Sequence, residues 1–413
     1  MVKELNARQL RYTCDPSSFS FKTTAELTPL DRIIGQERAI EALKLGLGIK
    51  DAKNRYNIYV AGDPGTGKLS AVERFLSRAS ANEPQPPDLC HVHNFENPYN
   101  PNYLELPAGR GCQLRNDLEQ LIKRLKREVP SVFESDEFKG RSKKTVEHFN
   151  LKRATMLESM EKQSRELGFS IQRSPIGINT LPLDEKGEPL SQEDYDALPE
   201  EERASLRSRQ GEVQNLIQER LQEVARLDEE RESKMKELAK EAVLFMIEPH
   251  ISSLKTSYEG LPKVLAFLDS VKIDVVENVD AFRNGDNAAR KPVLQMPFQM
   301  PKADPFKKYT INVLVDNAKT EGAPVIVEQN ATYPNLFGSI DRRVQMGVAV
   351  TDFTMIKPGS LHRANGGYLV LNANNLFRLG LSWEALKIAI KRREIHIEDP
   401  MQMLGYSTTE GLP

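Results

Sequence analysis

Cysteines, aromatic residues and long apolar runs are all scarce in this chain, and each scarcity excludes a class of protein. Only 3 cysteines occur among 413 residues, and none are spaced as CxxC. We therefore expect free thiols in a reducing compartment rather than disulfides or a zinc site. No apolar run approaches the ~18 residues of a membrane span, and the first residues lack the apolar core of a signal peptide. These absences predict a cytoplasmic protein without a membrane partner.

An excess of charge of one sign is also absent. The 57 lysines and arginines nearly balance 59 aspartates and glutamates, which leaves a formal net charge of -2. Proteins that coat nucleic acid are strongly basic, so we do not expect a nucleic-acid partner. With 28% charged and 7% aromatic residues, the composition is typical of a chain with much exposed helix. Its length allows two or three domains.

One segment predicts a phosphate-binding loop. An apolar run from Tyr56 to Ala61 predicts a buried strand, and the pattern G-x-x-x-x-G-K follows it from Gly62 to Lys68. The glycines allow successive backbone N–H groups to point at phosphate oxygens, and the lysine would reach the β- and γ-phosphates. The candidate nucleotide-binding residues of this segment are Gly62, Asp63, Pro64, Gly65, Thr66, Gly67, Lys68, Leu69 and Ser70.

Two positions that normally handle Mg²⁺ are altered. Leu69 stands where a hydroxyl ligand is expected, and Ser70 is turned about 100° further round a helix. The apolar strand Tyr368–Leu371 runs into Asn372 and Ala373, where a P-loop ATPase needs acidic residues. A neutral amide cannot act as a general base. We therefore predict binding of ATP or ADP with little use of Mg²⁺. Active hydrolysis would require Ser70 or another residue to replace the lost magnesium ligand.

Two long segments show helical periodicity. The first runs from about Gly111 to Leu167, and the second from about Glu200 to Ile247. Apolar residues recur in steps of three, four, seven and eight, which favours a helical hairpin resembling an antiparallel coiled coil over an ordinary solvated bundle. The stretch 168–183 between them alternates apolar and polar residues and predicts short strands at the tip. The apolar positions predicted for the second helix are Leu206, Val213, Ile217, Leu221, Val224, Leu227, Met235, Leu238, Ala242 and Phe245.

Other segments carry weaker signals. Cys90–Phe95 predicts a strand, and 97–107 predicts a loop. His91 and His93 lack convergent further ligands, so we interpret them as polar residues at a strand edge rather than metal ligands. The other predicted elements are strands at 309–315, 324–328 and 366–371, helices at 262–271 and 382–391, and a proline-rich loop at 283–305.

Catalytic motifs are absent from the sequence. No nucleophile pattern such as G-x-S-x-G occurs, so we predict no catalytic residue in this chain. The basic pair Arg342 and Arg343 follows Asp341. It suits a surface ion-pairing patch better than a pair that reaches the nucleotide of a neighbouring subunit.

Several motifs together resemble a known family. Ile33–Ala39 resembles the adenine-side box of AAA+ ATPases of the Lon class, and Tyr56–Lys68 resembles their Walker A strand and loop. The resemblance adds Ile34 and Gly35 to the candidate nucleotide-binding residues, and it places Asn372 at Walker B. The segments similar to a bacterial branch of Lon-like proteins are 313–317, 321–325, 335–338 and 357–369.

The resemblance implies an α/β fold: a P-loop AAA+-like parallel sheet with a long helical hairpin inserted between Walker A and Walker B, carrying a small β tip. The implied order is an N-terminal arm, a first core part with the P-loop, the insertion with its tip, and a second core part. The corresponding ranges are 1–30, 31–110, 111–260 with the tip near 168–190, and 261–413.

The family further implies a Lon-type peptidase domain with a Ser–Lys dyad, protein or peptide substrates and a hexameric ring. The chain stops at Pro413, before a helical lid or peptidase domain is reached, so we expect an N-terminal part of such a protein. The leading hypothesis is a nucleotide-binding module that binds and gates substrates with weak or absent ATP hydrolysis. The alternative is a nucleotide-sensing scaffold or regulatory protein that cleaves nothing.

Overall fold

The structure is a computed structural model, and it divides into two units that are described separately. The first unit comprises Met1–Ala79 and the second comprises Ser80–Pro413. The predicted proline-rich loop at 283–305 lies almost wholly outside the described residues. The described residues are 4–7, 9–11, 13–28, 35–49, 57–63, 65–174, 177–184, 187–190, 195, 199–284, 304–345 and 348–397.

The first unit contains two α-helices, α1 (Glu37–Gly48) and the start of α2 (Lys68–Ser80). The strand expected at 56–61 is a correction, because residues 57–63 form no strand and Tyr59 is 73% exposed. A strand is stabilised by a hydrogen-bonded neighbour, and no described strand pairs with this segment.

The second unit begins with a three-stranded antiparallel sheet. Strand β1 (Asp88–Val92) lies between β2 (Asn102–Leu106) and β5 (Ile311–Val315). Leu104 and Val313 stand opposite Cys90 on its two sides. The predicted loop at 97–107 was therefore wrong in its second half, because β2 pairs with β1 across a Pro/Asn turn. His91 lies within this central strand and His93 directly follows it, so the position at a strand edge expected for both was wrong.

Helices make up more than half of the described residues of the second unit. The long ones contain the two segments predicted to be helical, and α5 alone has 58 residues, about 86 Å at 1.5 Å per residue. None of the helices in the described ranges is long and apolar enough to cross a membrane. They are α3 (Arg110–Glu134), α4 (Asp136–Glu166), α5 (Glu200–Ser257), α6 (Pro262–Glu277) and α7 (Val279–Asn284).

Helix α4 and the part of α5 that ends near Glu241 run antiparallel and form an arm. Arg141 pairs with Glu241 at 2.7 Å, and further along α4 Arg153 pairs with Asp228 at 4.0 Å. Residues later in α4 therefore pair with residues earlier in α5, as expected for antiparallel helices. At the far end of the arm a hairpin of β3 (Phe169–Ser174) and β4 (Gly177–Pro182) joins the helices.

The apolar face of α5 changes direction where the helix leaves α4. Val224, Leu227 and Leu238 are buried as predicted, but Phe245 is 86% exposed. The buried positions there are Val243, Ile247 and Ile251, which pack in a cluster with side chains of α3 and α6. The prediction for Phe245 was wrong because a second packing partner selects a different face of the helix.

The sheet is covered on both faces. Cys90, Val92 and Leu104 pack on the face toward the helices, in a cluster with side chains of α3, α5, α6 and α7. On the other face, Leu89 and Leu314 pack with residues from the later part of the chain. Because β1 is buried on both sides, its sequence shows no clean alternation of apolar and polar residues.

Two parallel strands form the remaining core. Strand β6 (Val325–Glu328) pairs with β11 (Tyr368–Leu371), and both are half-buried. Strand β11 lies in the segment 366–371 that was predicted to be a strand, and β6 is its only partner among the described strands. The other elements are α8 (Tyr333–Phe337), β7 (Ser339–Ile340), β8 (Arg343–Gln345), β9 (Val348–Val350), β10 (Ile356–Lys357), α9 (Ser360–Arg363), α10 (Ala373–Arg378) and α11 (Gly380–Arg392).

Candidate nucleotide-binding site

The glycine-rich loop has the backbone that its sequence predicts. Gly62, Gly65 and Gly67 have φ angles of 155°, 79° and 73°, a region that residues with a side chain rarely adopt. Helix α2 begins at Lys68, directly after the last glycine. The turn therefore leads into a helix N-terminus, the arrangement that places backbone N–H groups toward a phosphate. Pro64 lies outside the described residues.

The lysine of the motif folds back over the loop. The Nζ atom of Lys68 donates to the carbonyl oxygens of Gly62 and Asp63, the latter at 2.6 Å. The hydroxyl of Thr66 donates to the same Asp63 oxygen at 2.8 Å. These bonds fix the loop entry and hold a positive charge beside it, where a phosphate group would be attracted.

The residues around the lysine fit a phosphate better than a magnesium ion. Leu69 is 44% exposed and has no oxygen to offer a metal, and Ser70, one position later, is exposed on α2. Gly35 has a φ of 75° just before α1, whereas Ile34 lies outside the described residues. In the described part of the chain, no three His, Cys, Asp or Glu side chains cluster as a metal site.

Asn372 has a structural task in this fold. It follows β11 and precedes α10, and its side-chain oxygen accepts from the backbone N–H groups of Asn374 at 3.0 Å and Asn375 at 3.3 Å. This is a helix N-cap, for which asparagine is among the preferred residues. The glycine-rich loop and Asn372 fall in different units, so their participation in one nucleotide site stays a prediction.

Glu328 was not predicted from the sequence as a site residue. It ends β6 directly opposite Leu371 of β11, so the carboxyl end of the parallel pair does carry a carboxylate, supplied by the neighbouring strand. The side chain accepts from the Ser360 hydroxyl at 2.6 Å and from the Asn330 N–H at 2.9 Å, and Arg363 lies 3.7 Å away. The apolar run ending in an acid, Val-Ile-Val-Glu, was the available signal.

Burial or ion pairing accounts for three other polar residues, Cys90, His91 and Asp341. Burial raises the pKa of Cys90 to about 12, so it remains a thiol. Burial also lowers the pKa of His91, whose Nδ1 has no partner within the described structure. Asp341 pairs with Lys357 at 2.6 Å, which agrees with a surface ion-pairing patch around the basic pair Arg342 and Arg343.

Two family models match this chain. One, described as a LonB-like AAA domain, matches residues 321–413, and one described as a Lon-like LonC helical domain matches residues 88–121. A search of curated proteins found no match. The two matches support a member of the Lon-like protease family and confirm the resemblance predicted from the sequence.

The matched segments also support the coarse fold and cofactor class. An AAA domain, together with the parallel pair β6–β11 and long helices, agrees with a mixed α/β protein of the nucleotide-binding class. The first model covers β6, β11 and the Glu328 network, and the second covers β1, β2 and the start of α3. Both segments follow the glycine-rich loop in the chain.

Proposed function

We propose that this chain is the nucleotide-binding, AAA+-like module of a Lon-like protease, which binds and gates protein substrates with weak or absent ATP hydrolysis. The observation that carries the proposal is the loop Gly62–Lys68, whose left-handed glycines lead into α2 beneath a folded-back lysine. The matches to two Lon-like family models support the class of protein.

The proposed cofactor is ATP or ADP. The loop backbone and Lys68 would hold the phosphates, and Gly35 with Ile34 would lie on the adenine side, as the resemblance implies. Leu69 cannot contribute a metal ligand and the oxygen of Asn372 caps α10, so we expect little gain in affinity from Mg²⁺. Neither Asn372 nor Ala373 can act as a general base, and the neighbouring Glu328 already accepts from the Ser360 hydroxyl and the Asn330 N–H.

The proposed partners are protein or peptide substrates and further copies of the chain in a ring, for which a hexamer is the family's arrangement. The arm of α4 and α5 with its β tip is the element we assign to substrate contact. In a protein that carries the peptidase domain, deleting residues 111–260 should change which substrates are cleaved. Unchanged cleavage of peptides and proteins would refute the gating role.

Calorimetric titration of ATP into this chain, with and without Mg²⁺, tests the nucleotide site. We expect measurable binding that Mg²⁺ changes little, and Lys68→Ala should weaken it at least about tenfold because a charged hydrogen-bond donor is lost. Binding strengthened strongly by Mg²⁺ would show that the metal ligands have been replaced. If Lys68→Ala bound ATP as tightly as the unaltered chain, the loop would not be part of the nucleotide site.

Replacing the altered position sharpens this test. Leu69→Thr restores a hydroxyl beside the lysine and should make ATP binding depend on Mg²⁺. Ser70→Ala is the matched control, because that hydroxyl is directed elsewhere on α2. If Ser70→Ala itself lowered binding in Mg²⁺, Ser70 would be the metal ligand and the active-ATPase hypothesis would be favoured. Nucleotide binding without any polypeptide binding would favour the scaffold hypothesis.

A further inference from the structure

The two strands of the arm tip differ in how their outer edges are used. In an antiparallel pair, residues alternate between those bonded to the partner strand and those whose N–H and C=O point outward. The N–H of Leu183 donates to the carbonyl of Gly168 at 2.8 Å, which fixes the phase of the ladder. Along β3 the even-numbered residues therefore face β4, and Phe169, Ile171 and Arg173 direct their backbone groups outward.

The outer edge of β4 is closed. Pro182 has no N–H to offer, and its carbonyl accepts from the N–H of Leu190 at 2.9 Å. Leu183 and Pro189 form a further antiparallel bridge. A proline and a returning segment are two devices by which proteins prevent a strand edge from pairing with another chain.

The outer edge of β3 has neither device. Within the described structure, no hydrogen bond is made by the outward N–H or C=O of Ile171, and no proline interrupts the strand. One face of the hairpin is nevertheless firmly seated, because Phe169 is only 1% exposed and packs with Met160 and Val213. The strand is thus anchored by its buried face, while no described residue pairs with the outward groups of Ile171.

The end of α4, the helix that packs against β3, carries two unpaired polar groups. At the end of α4, the Ser164 hydroxyl and the Gln163 side-chain carbonyl are buried without a hydrogen-bond partner in the described structure. Unpaired buried polar atoms are rare because each costs free energy. Near the start of β3, the guanidinium of Arg209 lies next to Gly168, so a positive charge stands at this end of the strand.

We propose that the outer edge of β3 captures an extended segment of a polypeptide as an added strand, with an acidic side chain of that segment at the Arg209 end. An extended backbone is the partner whose donors and acceptors match an open strand edge in spacing and direction. The inference rests on the proposed function, in which the arm contacts substrate, and it names the part of the arm that would bind: the outer edge of β3, through backbone hydrogen bonds.

Fluorescence anisotropy with the full chain tests the proposal. The probe is a labelled peptide of alternating threonine and valine with a terminal glutamate, and the control probe is the same peptide N-methylated at every residue. We expect binding of the first probe only. Ile171→Pro removes one outward donor from β3 and should weaken binding roughly threefold to tenfold, the worth of one net hydrogen bond.

Thr180→Pro is the matched variant. Thr180 stands opposite Ile171 in register and directs its N–H outward from β4, so it should leave binding unchanged. Circular dichroism checks that both variants fold. Hydrogen exchange of the unaltered chain provides a second measurement that needs no substitution: the probe should slow exchange in the peptide covering 169–174 and leave the one covering 177–182 unaffected.

The outcomes separate this inference from the proposed function. Peptide binding with equal affinity for the N-methylated probe, or protection outside β3, would overturn the strand-edge inference and leave substrate binding by the arm standing. Absence of peptide binding altogether would overturn both. Self-association of the chain that Ile171→Pro abolishes would assign the edge to a second copy and also overturn the inference.

Discussion

The glycine-rich loop and the turn between β10 and α9 both depend on glycine, for different physical reasons. Gly65 has a φ of 79° and open space around its Cα, so its requirement is one of backbone conformation. Gly359 has an ordinary φ of −91°, but a Cβ there would collide with the backbone of Leu336 and Gly338. The first requirement is local to the chain, and the second arises from close approach of distant segments.

The polar groups of the two regions show the same contrast. Lys68 bonds carbonyls five and six residues away in the chain, and its surroundings are exposed. Glu328 accepts from Ser360, 32 residues away, and its side chain is only 14% exposed. A motif search finds the first arrangement because all its members are contiguous, and overlooks the second because they are not.

The largest expected effect is in the buried turn. Gly359→Ala should destabilise the second unit by more than about 3 kcal/mol, since two backbone segments would have to move apart. Denaturant unfolding followed by circular dichroism measures it. Gly380→Ala is the control, because a Cβ there meets nothing within 4 Å and should be neutral or slightly stabilising. A loss below about 1 kcal/mol for Gly359→Ala would show that close backbone contact is not the reason for glycine at this position.

Acid should also act on the buried region. Burial, with a smaller effect of His91, lowers the pKa of His362 from 6.5 to about 4. Between these values the unfolded chain binds a proton that the folded chain does not. The stability contributed by neutral His362 is therefore present above pH 6.5 and lost as the pH falls toward 4, on the order of 3 kcal/mol.

Unfolding measured from pH 7 to pH 4.5 checks this loss. His362→Asn keeps an acceptor for the Gly359 N–H, which the histidine Nδ1 accepts at 3.2 Å, and should flatten the acid part of the profile. His148→Asn, on an exposed position of α4, should retain it. An identical profile for both variants would contradict the assignment to His362.

A smaller effect is expected at the strand end. Glu328→Ala leaves the Ser360 hydroxyl and the Asn330 N–H without their acceptor and should cost about 2 kcal/mol of unfolding free energy. Glu384→Ala removes a carboxylate paired with Lys387 at 2.7 Å, but that side chain is 64% exposed, so less than about 0.5 kcal/mol should be lost. Equal losses of unfolding free energy in the two variants would show that the buried hydrogen bonds of Glu328 contribute no more than an exposed ion pair.

The smallest expected effect is in the exposed loop. Gly65→Ala forces a side chain into the left-handed region and costs about 1 kcal/mol, which should weaken ATP binding about fivefold in the calorimetric titration. Gly48→Ala, at the end of α1 with nothing within 4 Å and no left-handed φ, is the control. Should both variants bind ATP equally, the left-handed conformation of Gly65 is not needed for the site.

Periodicity predicted the helices well and the strands less well. The apolar spacing in α3, α4 and α5 was sufficient, since a helix satisfies its own backbone. The strand expected at 56–61 and the strand missed at Asn102–Leu106 show the limit. Whether a segment becomes a strand depends on a neighbour that can lie far away in sequence, and β5 joins β1 from more than two hundred residues downstream.

The sequence by itself determined the glycine-rich loop, the helical arm with its β tip and the resemblance to Lon-like proteins, because these depend on contiguous residues and local conformational preferences. Tertiary structure decided that Asn372 caps a helix, that the acid at the parallel strand end is Glu328, and which edge of the tip hairpin is open. Each of these depends on hydrogen bonds or packing outside the local motif, and a linear pattern does not record which distant groups meet.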